Sequence, residues 1–287
     1  MPVTYKQQGL IISLMLFWLI LVSLLLLLSL KPTAAERAWQ GHNQQRQYLD
    51  WVAQQLWQFS QQTPQLYATN TSGRFYDADR IPSPGYFPCP DTNHNGQSNA
   101  PCGQGQAIAI GLLPQQIATR SFNLTPYHAA PMTIGFAIDS RYVIQNADYH
   151  NPPIQRYAPL NPTQPGEAAL RDWQGQASVA LVFIIPNDQL FENDTWRHAL
   201  KQAPQHPERQ TFNQRFPLQQ ALTLADWQQR MHKHIAPLAN TFCALPADQP
   251  HWFNACSNPQ QPTADCPNQL PANPTGSDWR ALLCPGN

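Results

Sequence analysis

Residues 6–32 read KQQGLIISLMLFWLILVSLLLLLSLKP. From Leu10 to Leu30 there is no charge, and the only polar side chains are Ser13, Ser23 and Ser29. A helix of this length rises about 31 Å, roughly one hydrocarbon thickness. Lys6 precedes the run, and Lys31 and Pro32 follow it. No later stretch rivals it, since Val179–Ile185 is far too short. The run therefore predicts a single membrane-spanning helix. A cleaved secretory signal fits less well, because its apolar region is usually about 7–15 residues and leads into a small-residue site. Here Lys31 and Pro32 intervene before Ala34 and Ala35.

The rest of the chain is a different material. Charged residues are 12% of the 287, about half the usual ~25%. Seventeen Lys plus Arg balance seventeen Asp plus Glu. A nucleic-acid binder relying on phosphate contacts would carry a basic excess, so nothing in the charge balance indicates a nucleic-acid partner. The 29 Pro and 9 Trp point to a loop-rich domain, and 42% apolar residues at zero net charge argue against disorder. Mean hydropathy is −0.44 despite the greasy end, so the remainder is strongly polar.

Lys6-Gln7-Gln8-Gly9, followed at once by Leu10, resembles the leader of type IV prepilins and type II secretion pseudopilins. The resemblance implies that a prepilin peptidase cuts between Gly9 and Leu10 and that the apolar segment stays with the mature protein. A glycine there lets the backbone enter a narrow site without a side-chain clash. Pro32 falls within one residue of the proline that commonly kinks pilin stems, and equally where a proline would end a membrane helix. Leu14 departs from the family, whose subunits usually carry Glu at that place. That carboxylate is thought to meet a neighbour's free amino terminus inside the apolar filament, a pairing that sets register. Its absence implies a minor subunit of tip type, one that primes or caps a filament. The alternative is a single-pass membrane-anchored periplasmic binding protein that does not polymerise.

Beyond the apolar run, Leu49, Val52, Leu56 and Phe59 recur at helical spacing, flanked by Trp51 and Trp57. Thr63-Pro64 ends that pattern. From Tyr67 to Ala107 the composition is that of an extended loop. Its residues 84–96, then Cys102 and Gly111-Leu112-Leu113-Pro114, are similar to a "GYLPCPDTDGDG" segment and "GxLP" turn of some large prepilin-like proteins. Asp91, Asn93 and Asn95, with Gly96 after them, also match the first half of a calcium loop. The twelfth place should supply a bidentate Glu, and Cys102 occupies it. With one local carboxylate, calcium would bind weakly, and the competing reading is a turn held by Asn side chains and a disulfide.

Six cysteines follow the apolar run: Cys89, Cys102, Cys243, Cys256, Cys266 and Cys284. An even count in an exported domain predicts disulfides and an oxidising space. Cys89 with Cys102 is the favoured pair because a compact turn-rich loop separates them. Paired C-x₂₋₄-C spacing for zinc is absent. So are Gly-x-Ser-x-Gly, the P-loop, H-E-x-x-H and the dinucleotide glycine fingerprint. His232 and His234 lie on different sides of a helix, and Asp77 and Asp79 have no identifiable partner acid. No catalytic residue is assigned.

The expected fold is α+β: a long N-terminal membrane-spanning helix packed on a periplasmic head with an antiparallel sheet, and a disulfide-rich C-terminal tail. Residues 1–9 would be the leader, 10–30 the span, 31–62 the periplasmic part of the helix, 63–242 the head and 243–287 the tail. Strands are expected over Gln106–Leu113, Met132–Ile144 and Ala177–Ile185, and a second helix over Thr223–Asn240. The function implied is that of a non-catalytic minor pilin or pseudopilin in the bacterial inner membrane, single-pass, head in the periplasm. Its partners would be other minor subunits, the prepilin peptidase and the membrane. No cofactor is expected beyond a weak calcium ion.

Overall fold

The computed structural model describes residues 13–24, 34–67, 82–117, 122–123, 132–147, 169–186, 193–246, 253 and 279–284. The chain divides into two units, Met1–Gln47 and Tyr48–Asn287. In the first, residues 13–24 form helix α1, and helix α2 (Ala34–Tyr67) begins. Among the described residues no helix is long and apolar enough to cross a membrane. The described part of α1 would rise only about 18 Å against a hydrocarbon core of about 30 Å. Helix α2 has the length, but Glu36, Arg37, Arg46 and Asp50 lie along it. This corrects the expected membrane-spanning helix and the single-pass inner-membrane location built on it. Gly9, Leu10 and Pro32 lie outside the described residues.

The second unit is organised by one antiparallel sheet. Its strands are β1 (Ile108–Leu112), β4 (Thr133–Asp139), β5 (Leu170–Arg171), β6 (Ala177–Ile185) and β7 (Gln219–Thr223); β2 (Gln116–Ile117) and β3 (Phe122–Asn123) make a separate ribbon. Strand β6 is central, pairing with β4, β5 and β7. Ser178 pairs with both Leu170 and Thr223, so β5 lies on the side opposite β7 and continues the line of β4. All of Val179–Ile185 is buried, as a strand covered on both faces must be.

Pleating sorts these residues into two cores. One contains Ile134, Phe136, Ile138, Val182 and Ile184, packed with Leu49, Val52, Leu56 and Phe59 of α2 and Trp227, Met231 and Ile235. The other contains Ile108, Ile110, Leu181, Phe183 and Ile185, packed with Leu200, Phe212 and Phe216. Helices α3 (Asn193–Lys201) and α4 (Pro207–Arg215) supply the second layer. A register shift between Ser178 and Ala180 puts Val179 and Ala180 in the same core. Gly135 sits opposite Phe183, and a Cβ there would lie 2.1 Å from the ring. Only glycine leaves that ring its place.

Local chemistry moves several expected boundaries. Helix α2 runs through Pro64 to Tyr67. A proline removes the N–H that would serve the carbonyl four residues back, here that of Ser60. That oxygen instead accepts from Gly85 N–H (2.6 Å) and the Thr63 hydroxyl (3.0 Å), so the helix survives. Strand β4 stops at Asp139 because its carboxylate accepts the Arg141 N–H (3.1 Å) and opens the 3₁₀ turn Ser140–Tyr142. Helix α5 (Leu224–Ile235) is N-capped by Thr223, whose hydroxyl accepts from Asp226 N–H, and gives way to the turn Ala236–Leu238 at Pro237. Helices α6 (Ala239–Cys243) and α7 (Trp279–Leu283) are joined by the Cys243–Cys284 disulfide. The Arg280 guanidinium donates to the carbonyls of Leu245 (2.9 Å) and Cys243 (3.1 Å), satisfying the end of α6. Cys256 and Cys266 lie outside the described residues.

Candidate functional site

Helix α1 is apolar around its whole circumference, and every residue of it is exposed. Its large side chains, Leu14 to Leu24, keep between 36% and 67% of their surface in contact with solvent, Leu14 itself 56%. A helix with no polar face belongs inside something, and contiguous apolar surface on this scale marks an interaction site.

The second place singled out by the sequence is the loop through Cys89 and Cys102, which form a disulfide. Residues 82–91 are buried, and short backbone pairings stitch the loop to its surroundings. Asp91 exchanges both hydrogen bonds with Leu112 (2.9 and 2.8 Å), closing the outer edge of β1. Phe87 N–H donates to the Tyr142 carbonyl (2.7 Å) and its own carbonyl accepts from Ile144 N–H (2.8 Å). Gly85, at φ +111°, lies against Trp227, whose indole N–H donates to the Gly85 carbonyl (2.9 Å).

Within that loop the would-be calcium oxygens are engaged by the loop's own backbone. Asp91 Oδ1 accepts from Asn95 N–H (3.2 Å) and Oδ2 from Gly96 N–H (2.7 Å). Asn93 Oδ1 accepts from Asn95 N–H (3.3 Å), and Asn95 Oδ1 from Gln97 N–H (2.9 Å). Asn99, not singled out from the sequence, closes the far side by accepting from Thr92 N–H (2.6 Å) and Asn93 N–H (3.2 Å). Such side-chain-to-backbone bonds are what make Asn and Asp turn formers. Cys102, in the twelfth place, is committed to sulfur. The donor set offers a cation one carboxylate already shared by two amides, which fits calcium poorly. Among the described residues no group of three or more His, Cys, Asp or Glu is gathered for a metal.

Other polar clusters serve the fold. The buried Asp139 carboxylate holds Arg141 (Nη2 at 2.7 Å) and the Ala169 N–H (3.0 Å), tying the end of β4 to the start of β5. Burial, with the Asp139 charge adding and Arg141 opposing, raises the Tyr142 phenol far above its ordinary range. Burial lowers the pKa of His234, while a hydrogen bond to the Gln61 backbone opposes the shift. His198 Nδ1 meets Glu208 (2.6 Å) across α3 and α4. Asp77 and Asp79 lie outside the described residues.

Sequence reading missed two features on α4 and the β5–β6 turn. Arg209 is fully enclosed, and Trp173 stands 53% exposed at the turn tip. That turn is fixed by the Asp172 Oδ1, which accepts from the N–H groups of Gln174 (2.9 Å) and Gln176 (2.7 Å), and by Gly175 at φ +86°. The D-x-x-G pattern of residues 172–175 was the available turn signal; nothing in the sequence flags Arg209. Comparison with family models, with curated proteins and with solved structures finds no match.

Proposed function

We propose that the chain is a non-catalytic minor subunit of a type IV pilus or type II secretion pseudopilus-like filament. The observation that supports this most is α1, an all-round apolar helix left exposed by its own chain. Its missing burial would come from the stems of sister subunits packed side by side. The leader-like Lys6-Gln7-Gln8-Gly9 before it makes the prepilin peptidase the processing partner. Leu14 in place of a carboxylate suits a subunit that primes or caps, since no register-setting ion pair can form at that position. The polar, disulfide-linked unit from Tyr48 onward would face partners or cargo, and the Cys89–Cys102 and Cys243–Cys284 disulfides require an oxidising environment for assembly.

The test is intact mass and N-terminal sequencing of the protein purified from its own cells. The reading expects a mature chain that begins at Leu10, with an N-methyl group. A chain beginning at Met1 or Glu36 would refute it, because the stem would be either uncut or lost.

A further inference from the structure

The turn at Asn95-Gly96 brings several groups to bear on one exposed side-chain amide. Asn95 Oδ1 accepts from the Gln97 N–H (2.9 Å). The ring closed by that bond contains both the Asn95 Cγ and the Gly96 nitrogen, so the turn keeps the two folded toward each other. The Gly96 N–H in turn donates to Asp91 Oδ2 (2.7 Å). Asn95 Nδ2 has no hydrogen-bond partner among the described residues.

Each contact has a chemical counterpart. The Gln97 N–H sits where negative charge gathers when Cγ is attacked, as a donor to an oxyanion does. Asp91 is placed to take the proton that the Gly96 nitrogen must lose in order to attack. The free Nδ2 is a leaving group that no contact restrains, and Gly96, at φ +81° and without a Cβ, leaves the approach to its nitrogen uncrowded. Asn93 supplies the contrast. Its Oδ1 closes the same kind of ring with the Asn95 N–H (3.3 Å). The nitrogen inside that ring belongs to His94, which carries a side chain at φ +61° and whose N–H has no acceptor among the described residues.

We propose that Asn95-Gly96 is a self-modifying site at which the Gly96 nitrogen attacks the Asn95 side-chain amide. The bond from the Gly96 nitrogen to Cγ forms, the Cγ–Nδ2 bond breaks, and the proton lost from Gly96 passes by way of Asp91 to the departing ammonia. The cyclic imide then takes up water and opens at either carbonyl, to aspartate or isoaspartate. Water enters, ammonia leaves, and no oxidation state changes. The product puts a second carboxylate into a loop whose only acid from 91 to 99 is Asp91. This site is independent of the filament reading.

The experiment incubates the full, disulfide-linked chain at neutral pH over days, folded or unfolded in guanidinium chloride. Peptide mapping by mass spectrometry then separates asparagine, aspartate, isoaspartate and imide at residue 95, with Asn93 in the same digest as comparison. An Asn-Gly pair reacting through sequence alone would convert fastest when unfolded. The turn instead should make the folded chain react at least about tenfold faster than the unfolded one, the lower range of a positioned acid–base group. Asn93 should stay intact in the folded chain. Asp91→Asn should bring the folded rate at residue 95 down to about the unfolded rate. A folded rate equal to or below the unfolded rate would overturn the proposal, and so would an Asp91→Asn protein that reacts as fast as the wild type. The first comparison uses the wild type alone, so it decides the matter even if Asp91→Asn does not fold.

Discussion

Gly135→Ala is a one-carbon test of how β4 and β6 are registered. The added Cβ would sit 2.1 Å from Phe183 Cε2 and 2.3 Å from Cζ. Ordinary carbon contacts are about 3.5–4.0 Å, so the ring would have to retreat by roughly 1.4 Å or more. It has nowhere to go: Phe183 is fully buried, with Phe216 at 5.0 Å and Phe212 at 5.2 Å between ring centres. Overpacking of this kind costs about 1–3 kcal/mol. The opposing gain, a less flexible unfolded chain, is only about 0.4–1 kcal/mol where the native backbone suits alanine. Clash wins, and a net loss of about 1 kcal/mol or somewhat more is expected.

Urea unfolding read by tryptophan fluorescence and far-ultraviolet circular dichroism measures the loss, provided the slope of free energy on urea is unchanged. A double-mutant cycle gives the cause. Phe183→Leu removes the ring edge that the new carbon strikes, so Gly135→Ala should cost almost nothing in that background and the two losses should fail to add by about 1–2 kcal/mol. Additivity within about 0.5 kcal/mol, or a single-mutant loss smaller than that, would mean that Gly135 does not face Phe183 and that the β4–β6 register is wrong.

Two further outcomes follow from the same physical reasoning. Replacing Cys89 and Cys102 by serine frees a loop of sequence separation 13, and chain-entropy arithmetic puts the loss at about 3 kcal/mol; an unchanged urea midpoint would contradict it. For His234, burial sets the folded pKa below the unfolded value of about 6.5. The unfolded chain therefore binds the proton first, and stability fully present above that pH declines as pH falls through the folded pKa. His234→Gln should flatten the decline below about pH 6.5, and parallel pH profiles for the two proteins would count against a desolvated His234.

What the sequence made legible was whatever depended on a long apolar period. The stripe Leu49, Val52, Leu56 and Phe59 is buried against the sheet, and the seven apolar residues Val179–Ile185 are its central strand. Boundaries set by a single side chain were not legible. Pro64 looked like a stop, and only the distant Gly85 N–H, supplied by a loop, lets α2 run on. Strand β7, Gln219–Thr223, shows no usable alternation because it is half-buried and its glutamines serve local carbonyls. Helices α3 and α4 were missed for the opposite reason: Arg209 stands where the apolar pattern should show a core residue. The span was overread because it was counted from apolar length alone, whereas among the described residues the helix there covers 13–24.

The distribution of exposed apolar surface then limits where function can reside. Among the described residues of the second unit, the large apolar side chains left exposed are Trp173, Leu238 and Leu282, each isolated from the others in sequence. Single exposed residues of this sort are ordinary and require no partner. In α1 the exposed apolar residues are consecutive, from Leu14 to Leu24 with only Ser23 intervening. Fully burying one such side chain is worth about 1.5–3 kcal/mol, so leaving the whole helix in water would forfeit more than the 5–15 kcal/mol by which domains are usually stable. A chain that folds its other apolar residues into two well-packed cores has not failed to find a place for these. On the filament reading proposed above, their burial would come with association, and the state of residues 9 and 10 in the native protein is the observation that tests it most directly.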